Sequence, residues 1–315
     1  MKVFVAGATG ALGKQMVPML VERGNEVTGM TRTSTKAELI RSMGARSAVA
    51  DALDPEAVAQ AVAEAEPEAV IHELTSIYTA SFSRSLDKMF AGTNRLRTEG
   101  TDHLLAAARA VGARRFIAQS FTGWPYERTG GPIKTEEDPL QSSPPKTLSE
   151  TLRSIRYVEE TVTGADGIEG VALRYGGFYG PGTSISLDPV GDQVEMLRKR
   201  RLPVIGNGAG IWSLVHIEDA AGATAAALER GAPGKYNVVD DEPVRVSVLL
   251  PELARAVGAK PPRHLPKWLG RLVAGEGNAI MMTEVRGGSN EKAKRELGWE
   301  LRYPSWRQGF KEGLG

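Results

Sequence analysis

The sequence predicts an α/β fold built on a doubly wound parallel sheet. In the first half of the 315-residue chain, short β-branched runs alternate with longer segments whose apolar residues recur every three or four positions. A glycine-rich turn separates the first short run from the first helical segment. Apolar strands that alternate with helices are typical of a parallel sheet covered on both faces.

Each predicted element of the first half follows from its own pattern. The apolar run "KVFVAG" predicts the first strand, and it leads into a helix over Ala11–Arg23 that Gly24 and Asn25 end. "EVTGMTR", "SAVAD" and "AVIHELTS" are the next strands, with a helix over Pro55–Ala65 before the last of them. The helical segment "TEGTDHLLAAARAVGA" leads to the fifth strand, "RRFIAQS". The stretch "KTLSETLRSIRYVEETV" has helical spacing and precedes the sixth strand, "GVALRYGGFYG".

Beyond Gly180 the alternation loosens, which predicts a domain boundary there. "GPGTSISLDPVGD" reads as a loop, and "VEMLRKRRLPVIGNGAG" as a helix, a short strand and a turn. "SLVHIEDAAGATAAALERG" predicts a strand end and an alanine-rich helix, and further helical patterns cover Leu249–Val257 and Glu291–Leu297. We therefore predict a first domain over residues 1–180, with a returning segment near 211–240, and a second region over 181–315.

Composition excludes several classes of function. The 39 basic and 38 acidic side chains leave a net charge of +1, which gives no global field to attract nucleic acid or an anionic membrane. The absence of cysteine excludes disulfides and thiolate nucleophiles. With 4 histidines and no clustered acids, no metal site is expected. No apolar run reaches the roughly 18–20 residues of a membrane span, so a cytoplasmic protein is expected.

Two motifs of the first half predict a nucleotide site. "GATGALG" places Gly7, Gly10 and Gly13 between a strand and a helix, where glycine lets the backbone approach a pyrophosphate at the helix N-terminus. The alternative is a plain strand-to-helix turn. After the second strand, "MTRTST" offers Arg32 and no acid before Glu38. A cation there accommodates the 2′-phosphate of NADP, whereas a merely solvated Arg32 would allow either nicotinamide cofactor.

The spacing G-x-x-G-x-x-G, with the motifs that follow it, resembles the extended short-chain dehydrogenase/reductase family, also called the nucleotide-sugar epimerase/dehydratase family. The similar segments run along nearly the whole chain: "AVIHELTS", "FIAQS", "LRYGGFYGPG", "GNGAGIWSLVHIEDAA" and "NEKAKRELGW". The resemblance implies a Rossmann-type domain, and Arg32 predicts that this domain binds NADP(H) in preference to NAD(H). It also implies that residues 181–315 mainly shape the pocket of a small-molecule substrate, and it leaves a homodimer as an option.

With the motifs placed in this way, twelve residues are predicted to contact the cofactor. Asp51 ends the third strand at the family's adenine-contacting position, Ala52 follows it, and the remainder follow the first, second, fourth and sixth strands. The full predicted set is Gly7, Thr9, Gly10, Ala11, Leu12, Arg32, Asp51, Ala52, Leu74, Thr75, Gly177 and Phe178.

The catalytic residues that the resemblance implies are only partly matched. They are a serine or threonine after the fifth strand and a Tyr-x-x-x-Lys pair on the next helix, with a glutamate four residues after the lysine. Placing Glu159 as that glutamate puts Ile155 at the lysine and Thr151 at the tyrosine. Using Tyr157 instead puts Thr161 at the lysine and loses the glutamate. We therefore expect this helix to pack against the sheet without carrying the pair.

Two residues are predicted to replace the missing pair. Ser120 ends the fifth strand and is expected to donate a hydrogen bond to a substrate oxygen. Tyr126 is the candidate acid, and the alternative is a surface-loop tyrosine packed on Trp124 and Pro125. His72 is expected to be a satisfied core histidine.

The predicted function is that of an NADP(H)-binding oxidoreductase, or an epimerase or dehydratase, acting on a small carbonyl or hydroxyl compound. The alternative is a redox-inactive NADP-binding sensor or interaction protein, which the missing pair motivates.

Overall fold

The computed structural model describes residues 1–76 and 85–315. Its described part contains one seven-stranded sheet in which all neighbouring strands are parallel. In chain order the strands are β1 Lys2–Ala6, β2 Glu26–Thr31, β3 Arg46–Val49, β4 Ala69–His72, β5 Arg115–Phe121, β6 Glu169–Tyr175 and β7 Gly234–Val238. Their spatial order is β7-β6-β5-β4-β1-β2-β3. The direction of winding changes between β1 and β4, and ligands of such sheets bind outside the carboxyl ends of the strands at that point.

Helices connect these strands and continue beyond the last of them. In chain order they are α1 Ala11–Glu22, α2 Ser34–Ser42, α3 Pro55–Ala65, α4 Leu86–Met89, α5 Ala91–Arg95, α6 Thr101–Ala110, α7 Ser149–Thr163, α8 Asp192–Arg198, α9 Ile217–Glu229, α10 Val246–Ala256, α11 Lys267–Ala274, α12 Glu276–Thr283, α13 Glu291–Leu297 and α14 Trp306–Glu312. A π-helix, Leu96–Gly100, joins α5 to α6. None of the helices in the described ranges is long and apolar enough to cross a membrane.

Helices cover both faces of the sheet, as predicted. One apolar layer joins α1, α2 and α9 to the sheet, with Met16, Ile40 and Leu228 among its buried members. The opposite layer joins α3, α6 and α7 through residues such as Val62 and Leu104. A separate apolar cluster lies within residues 179–314, and the boundary predicted at residue 180 stays a prediction.

The sequence prediction differs from the structure at several elements, of which three belong to the central sheet or its connections. Strand β7 and helix α2 were not predicted. The sixth strand, predicted to run through Gly180, instead ends at Tyr175, and a separate short strand, Gly177–Tyr179, pairs with Leu214–His216. A side chain at Gly176 would lie 2.6 Å from the carbonyl oxygen of Ser213, so the backbone passes too close there for any residue but glycine.

Three further pairs of two-residue strands complete the described sheets. They are Ile133–Lys134 with Gly287–Gly288, Val204–Ile205 with His264–Leu265, and Ile211–Trp212 with Val244–Arg245.

Candidate functional site

The turn between β1 and α1 has the geometry that a pyrophosphate requires. Gly7 has φ of +106°, and a Cβ there would lie 2.7 Å from the carbonyl oxygen of Glu73. A Cβ on Gly13 would collide with the Gly7 carbonyl, whereas Gly10 is exposed and a Cβ on it would meet only the Gly7 carbonyl oxygen. The first N–H groups of α1, beginning with Ala11, have no acceptor within the helix and carry its positive dipole end. This cradle therefore fits an anionic diphosphate.

A cleft of about 220 Å³ lies at the carboxyl ends of β2, β3 and β4. Five residues of the predicted cofactor set line it together: Arg32, Asp51, Ala52, Leu74 and Thr75. The structure thus brings together Arg32 and Asp51, which are predicted to contact the 2′-phosphate and the adenine, with three further residues of the predicted set, and we refer to this cleft as the adenosine cleft. Thr9 and Leu12 lie on the neighbouring glycine turn and α1. Gly177 and Phe178 do not line this cleft; they form the half-buried short strand after β6, where the Phe178 ring packs 5.3 Å from the Tyr175 ring.

A buried acid under the glycine turn was missed by the sequence reasoning. Glu73 is buried, and its carboxyl accepts a hydrogen bond of 2.9 Å from the hydroxyl of Tyr175, which also bonds Thr224 at 2.7 Å. Burial raises the pKa of Glu73 to about 8. Around neutral pH this acid is therefore mainly uncharged.

Ser120 lies in a buried polar network rather than in an open pocket. Its Oγ donates to Oε1 of Glu159 at 2.6 Å, and the side chain is 1% exposed. Arg174 donates to both oxygens of Glu159, at 2.7 and 2.6 Å. This network ties α7 to β5 and β6, because Ser120 is on β5 and Arg174 is on β6. The catalytic role of Ser120 stays a prediction, and the contact observed is structural.

Tyr126 also lies in the interior, so the alternative of a surface-loop tyrosine is wrong. It is 1% exposed, donates its hydroxyl to Oδ1 of Asn237 at 2.7 Å and accepts from Nη1 of Arg174 at 3.0 Å. Burial raises the pKa of Tyr126 above its usual value. These contacts argue against Tyr126 as the substitute acid, because its proton is held by Asn237 and not directed at a cleft.

Helix α7 packs as the sequence predicted. Thr151 is buried and donates its hydroxyl to Oδ1 of Asp87 at 2.7 Å. Ile155 is fully buried in an apolar cluster that includes Trp124. Tyr157 is 36% exposed and donates to Asp102, on the side of the helix away from that cluster. At the two positions predicted from the sequence to correspond to the family's acid and cation, the structure therefore has a hydrogen-bonded threonine and a buried apolar side chain.

The region beside α7 contains a second residue that the sequence reasoning missed. Arg97, on the π-helix, is 5% exposed, and burial lowers its pKa to about 10. His72, expected to be a satisfied core histidine, is indeed buried, with Nε2 bonded to the carbonyl of Leu96 and Nδ1 accepting from the N–H of Leu74. Burial lowers the pKa of His72 to about 4, so it is uncharged.

Comparison with known proteins places the chain among nicotinamide-dependent enzymes. The model of the NAD dependent epimerase/dehydratase family matches residues 3–239. A 3-diazoavenalumate denitrifying reductase from Streptomyces sp is 42% identical over 313 residues, which are 98% of this chain and 99% of the relative. A 2-alkyl-3-oxoalkanoate reductase from Stenotrophomonas maltophilia (strain K279a) is 30% identical over 270 residues, 82% of this chain and 76% of the relative.

Solved structures agree on the fold. A UDP-glucose 4-epimerase from Thermotoga maritima, with UDP-glucose, superimposes with a TM-score of 0.78 at 21% identity, over 100% of this chain and 97% of that one. A Thermus thermophilus UDP-glucose 4-epimerase in complex with NAD gives a TM-score of 0.74 at 24% identity, over 100% and 98% of the two chains. The relatives indicate an NAD(P)-dependent reductase or epimerase-type enzyme. The chain belongs to the NAD-dependent epimerase/dehydratase family of extended short-chain dehydrogenases/reductases.

Proposed function

We propose that the protein is an NADPH-dependent reductase that removes a diazo group, as N₂, from a small organic compound. The observation that carries this proposal is the packing of α7, where Thr151 and Ile155 stand in place of an acidic tyrosine and a lysine. The 42% identity to a denitrifying reductase of a diazo compound, over nearly the full length of both chains, supplies the substrate class.

The missing acid suits this reaction because the leaving group differs from that of carbonyl reduction. A carbonyl oxygen needs a proton as its carbon is reduced, and a placed acid typically contributes 10²–10⁴-fold. Bound NADPH would supply the hydride, which forms a new C–H bond on a diazonium carbon while both electrons of the C–N bond leave with N₂. That exchange balances without any proton, so a site with a buried Thr151 and Ile155 is adequate for it.

The residues of the chain would orient the reactants and exclude water. The glycine turn and α1 would hold the diphosphate, and the cleft would hold the adenosine half. Around Ile155, Trp124 and Leu152 belong to an apolar cluster. An apolar wall at the reacting carbon would protect a diazonium group from water, which competes with the cofactor for that carbon.

The preference for NADPH rests on the end of β2. Arg32 is exposed at that point and lines the cleft, while α2 begins two residues later at Ser34. No acidic residue lies in the first turn of α2, where it would repel a phosphate. A cation beside a helix N-terminus favours a 2′-phosphate on the adenosine ribose.

Reduction of a small ketone is the second candidate, in line with the carbonyl or hydroxyl substrate that the sequence predicts. It is supported by the relative that reduces 2-alkyl-3-oxoalkanoates. A reductase of this kind would need an acid other than the buried Tyr126.

The test supplies the purified protein with NADPH and a panel of ¹⁵N-labelled aryl diazo compounds, beside a panel of ketones. The proposal predicts enzyme-dependent ¹⁵N₂ release that matches NADPH consumption, above the rate with NADPH alone. Consumption with ketones only would favour the second candidate. Saturable NADPH binding with no consumption on either panel would contradict both and favour the sensor.

A further inference from the structure

Arg97 is a buried cation with an unused hydrogen-bond donor in the described part of the chain. Its Nε atom is buried and has no hydrogen-bond partner there. Two other arginines of similar burial differ in this respect. Nε of Arg115 donates to the carbonyl of Ala227 at 2.6 Å, and Nε of Arg174 donates to Glu159 at 2.7 Å.

The surroundings of Arg97 do not neutralise it. Glu159 is the acid that acts on it electrostatically, but Glu159 already accepts two hydrogen bonds from Arg174 and one from Ser120. His72, which also interacts with Arg97, is uncharged because its burial lowers its pKa. Burying a cation without an acceptor costs several kcal/mol in typical proteins, so a ligand that supplies acceptors would relieve a substantial cost.

The position of Arg97 points to the cofactor as that ligand. Its neighbour in sequence, Leu96, lines the adenosine cleft, and the Leu96 carbonyl is bonded to His72 at the end of β4. The π-helix that contains Arg97 also packs against α7. On α7, Glu159 lies about one helical turn from Ile155. π-helical turns occur often at functional sites. Arg97 therefore directly follows a residue that lines the cleft, and it lies on the segment that packs against α7, where Ile155 is at the position assigned to a cation.

We propose that Arg97 binds the nicotinamide half of the cofactor, its guanidinium donating to the hydroxyl oxygens of the nicotinamide ribose. It would supply the positive charge that Ile155 cannot. This inference depends on the proposed function only in requiring a nicotinamide nucleotide, not in the identity of the substrate.

The experiment measures binding of two ligands to Arg97→Met by titration calorimetry. NADPH contains the nicotinamide half, whereas 2′,5′-ADP contains only the adenosine half with its phosphates. We expect NADPH to bind about 10- to 100-fold more weakly, as for loss of hydrogen bonds from a charged group, and 2′,5′-ADP to change by less than about threefold. Arg97→Lys should recover part of the loss. The control is Arg109→Met, which removes an exposed arginine of α6 and should leave both affinities unchanged.

A second readout separates a ligand role from a structural one. Because Arg97→Met replaces an unneutralised buried cation with an apolar chain, the ligand-free variant should melt at the wild-type temperature or higher. If Arg97→Met weakened the binding of NADPH and of 2′,5′-ADP equally and also lowered the melting temperature, the proposal would be overturned and Arg97 would have a structural role. Unchanged NADPH affinity with a raised KM for the substrate would also overturn it, in favour of a substrate anion. If wild type binds NADPH but releases no N₂, the proposed denitrifying reaction fails while this inference stands.

Discussion

Replacing Arg174 by methionine should destabilise the protein strongly, because it leaves Glu159 as a buried charge with too few partners. The side chains of Arg174 and Glu159 are 1% and 4% exposed, and two hydrogen bonds of 2.7 and 2.6 Å join them. Removing one partner of such a buried pair typically costs about 3–5 kcal/mol. Among the described residues, Ser120 alone would then still donate to the Glu159 carboxylate.

Removing both charges should lower the free energy of unfolding by less than removing Arg174 alone. In the double variant Arg174→Met, Glu159→Leu, no charge is left buried in this pair, and exchange of a buried ion pair for apolar residues is often close to neutral. Ser120→Ala should cost about 1.5–3 kcal/mol, the usual value for a hydrogen bond to a charged group. The control, Arg153→Met, removes a surface pair with Glu150 and should cost less than about 1 kcal/mol.

Urea unfolding of the ligand-free variants, followed by tryptophan fluorescence and far-UV circular dichroism, gives these free energies when both signals change together. The reasoning would be refuted if Arg174→Met cost no more than Arg153→Met. It would also be refuted if the double variant lost as much as the sum of its two single variants.

Three further predictions concern the cofactor, pH and the acid. In calorimetry, Arg32→Ala should weaken the binding of NADPH at least about tenfold and the binding of NADH much less. Equal losses of affinity for the two cofactors would exclude a 2′-phosphate contact. Because the pKa of Glu73 is raised to about 8, the folded state retains this proton above pH 4.5, where the unfolded state loses it. Stability should therefore fall from about pH 5 to 8, and Glu73→Gln, which carries no titrating proton, should flatten that fall in urea titrations. Tyr126→Phe should keep the rate of NADPH consumption within about threefold, whereas a loss of about 10² or more would identify Tyr126 as the acid after all.

The sheet was largely predictable because its strands carry a local signal. The apolar runs of β1 to β6 are short and distinct, and most of them are separated by helices with regular spacing, so both the strands and their parallel pairing follow from the sequence. Helix α2 has only Ala37 and Ile40 as buried residues, which leaves too weak a periodicity to detect. Strand β7 follows a Gly- and Pro-containing turn within the region where the alternation loosens. Its place beside β6 is set by long-range pairing.

The candidate site was predictable only where its chemistry belongs to a local motif. The glycine turn and the cleft residues follow from short segments, each at the end of a strand. The contacts of Tyr126 join it to Asn237 and Arg174, which are distant in sequence and bear no local sign of the contact. From the sequence, Arg97 is one of several charges on a helix, whereas the structure places it on a π-helical turn with its side chain buried. The spacing of the sequence does not distinguish Arg97 from Arg95, which forms an ion pair with Glu99 at the surface.

The central claim is that this site delivers a hydride to a carbon that loses N₂. NADPH carrying deuterium at its transferable position, incubated with the protein and an aryl diazo compound, tests it most directly by mass spectrometry and NMR of the product. We predict deuterium on the carbon that carried nitrogen, in amounts that match the N₂ released. N₂ release with hydrogen from solvent at that carbon, or deuterium found only in alcohols formed from ketones, would contradict it.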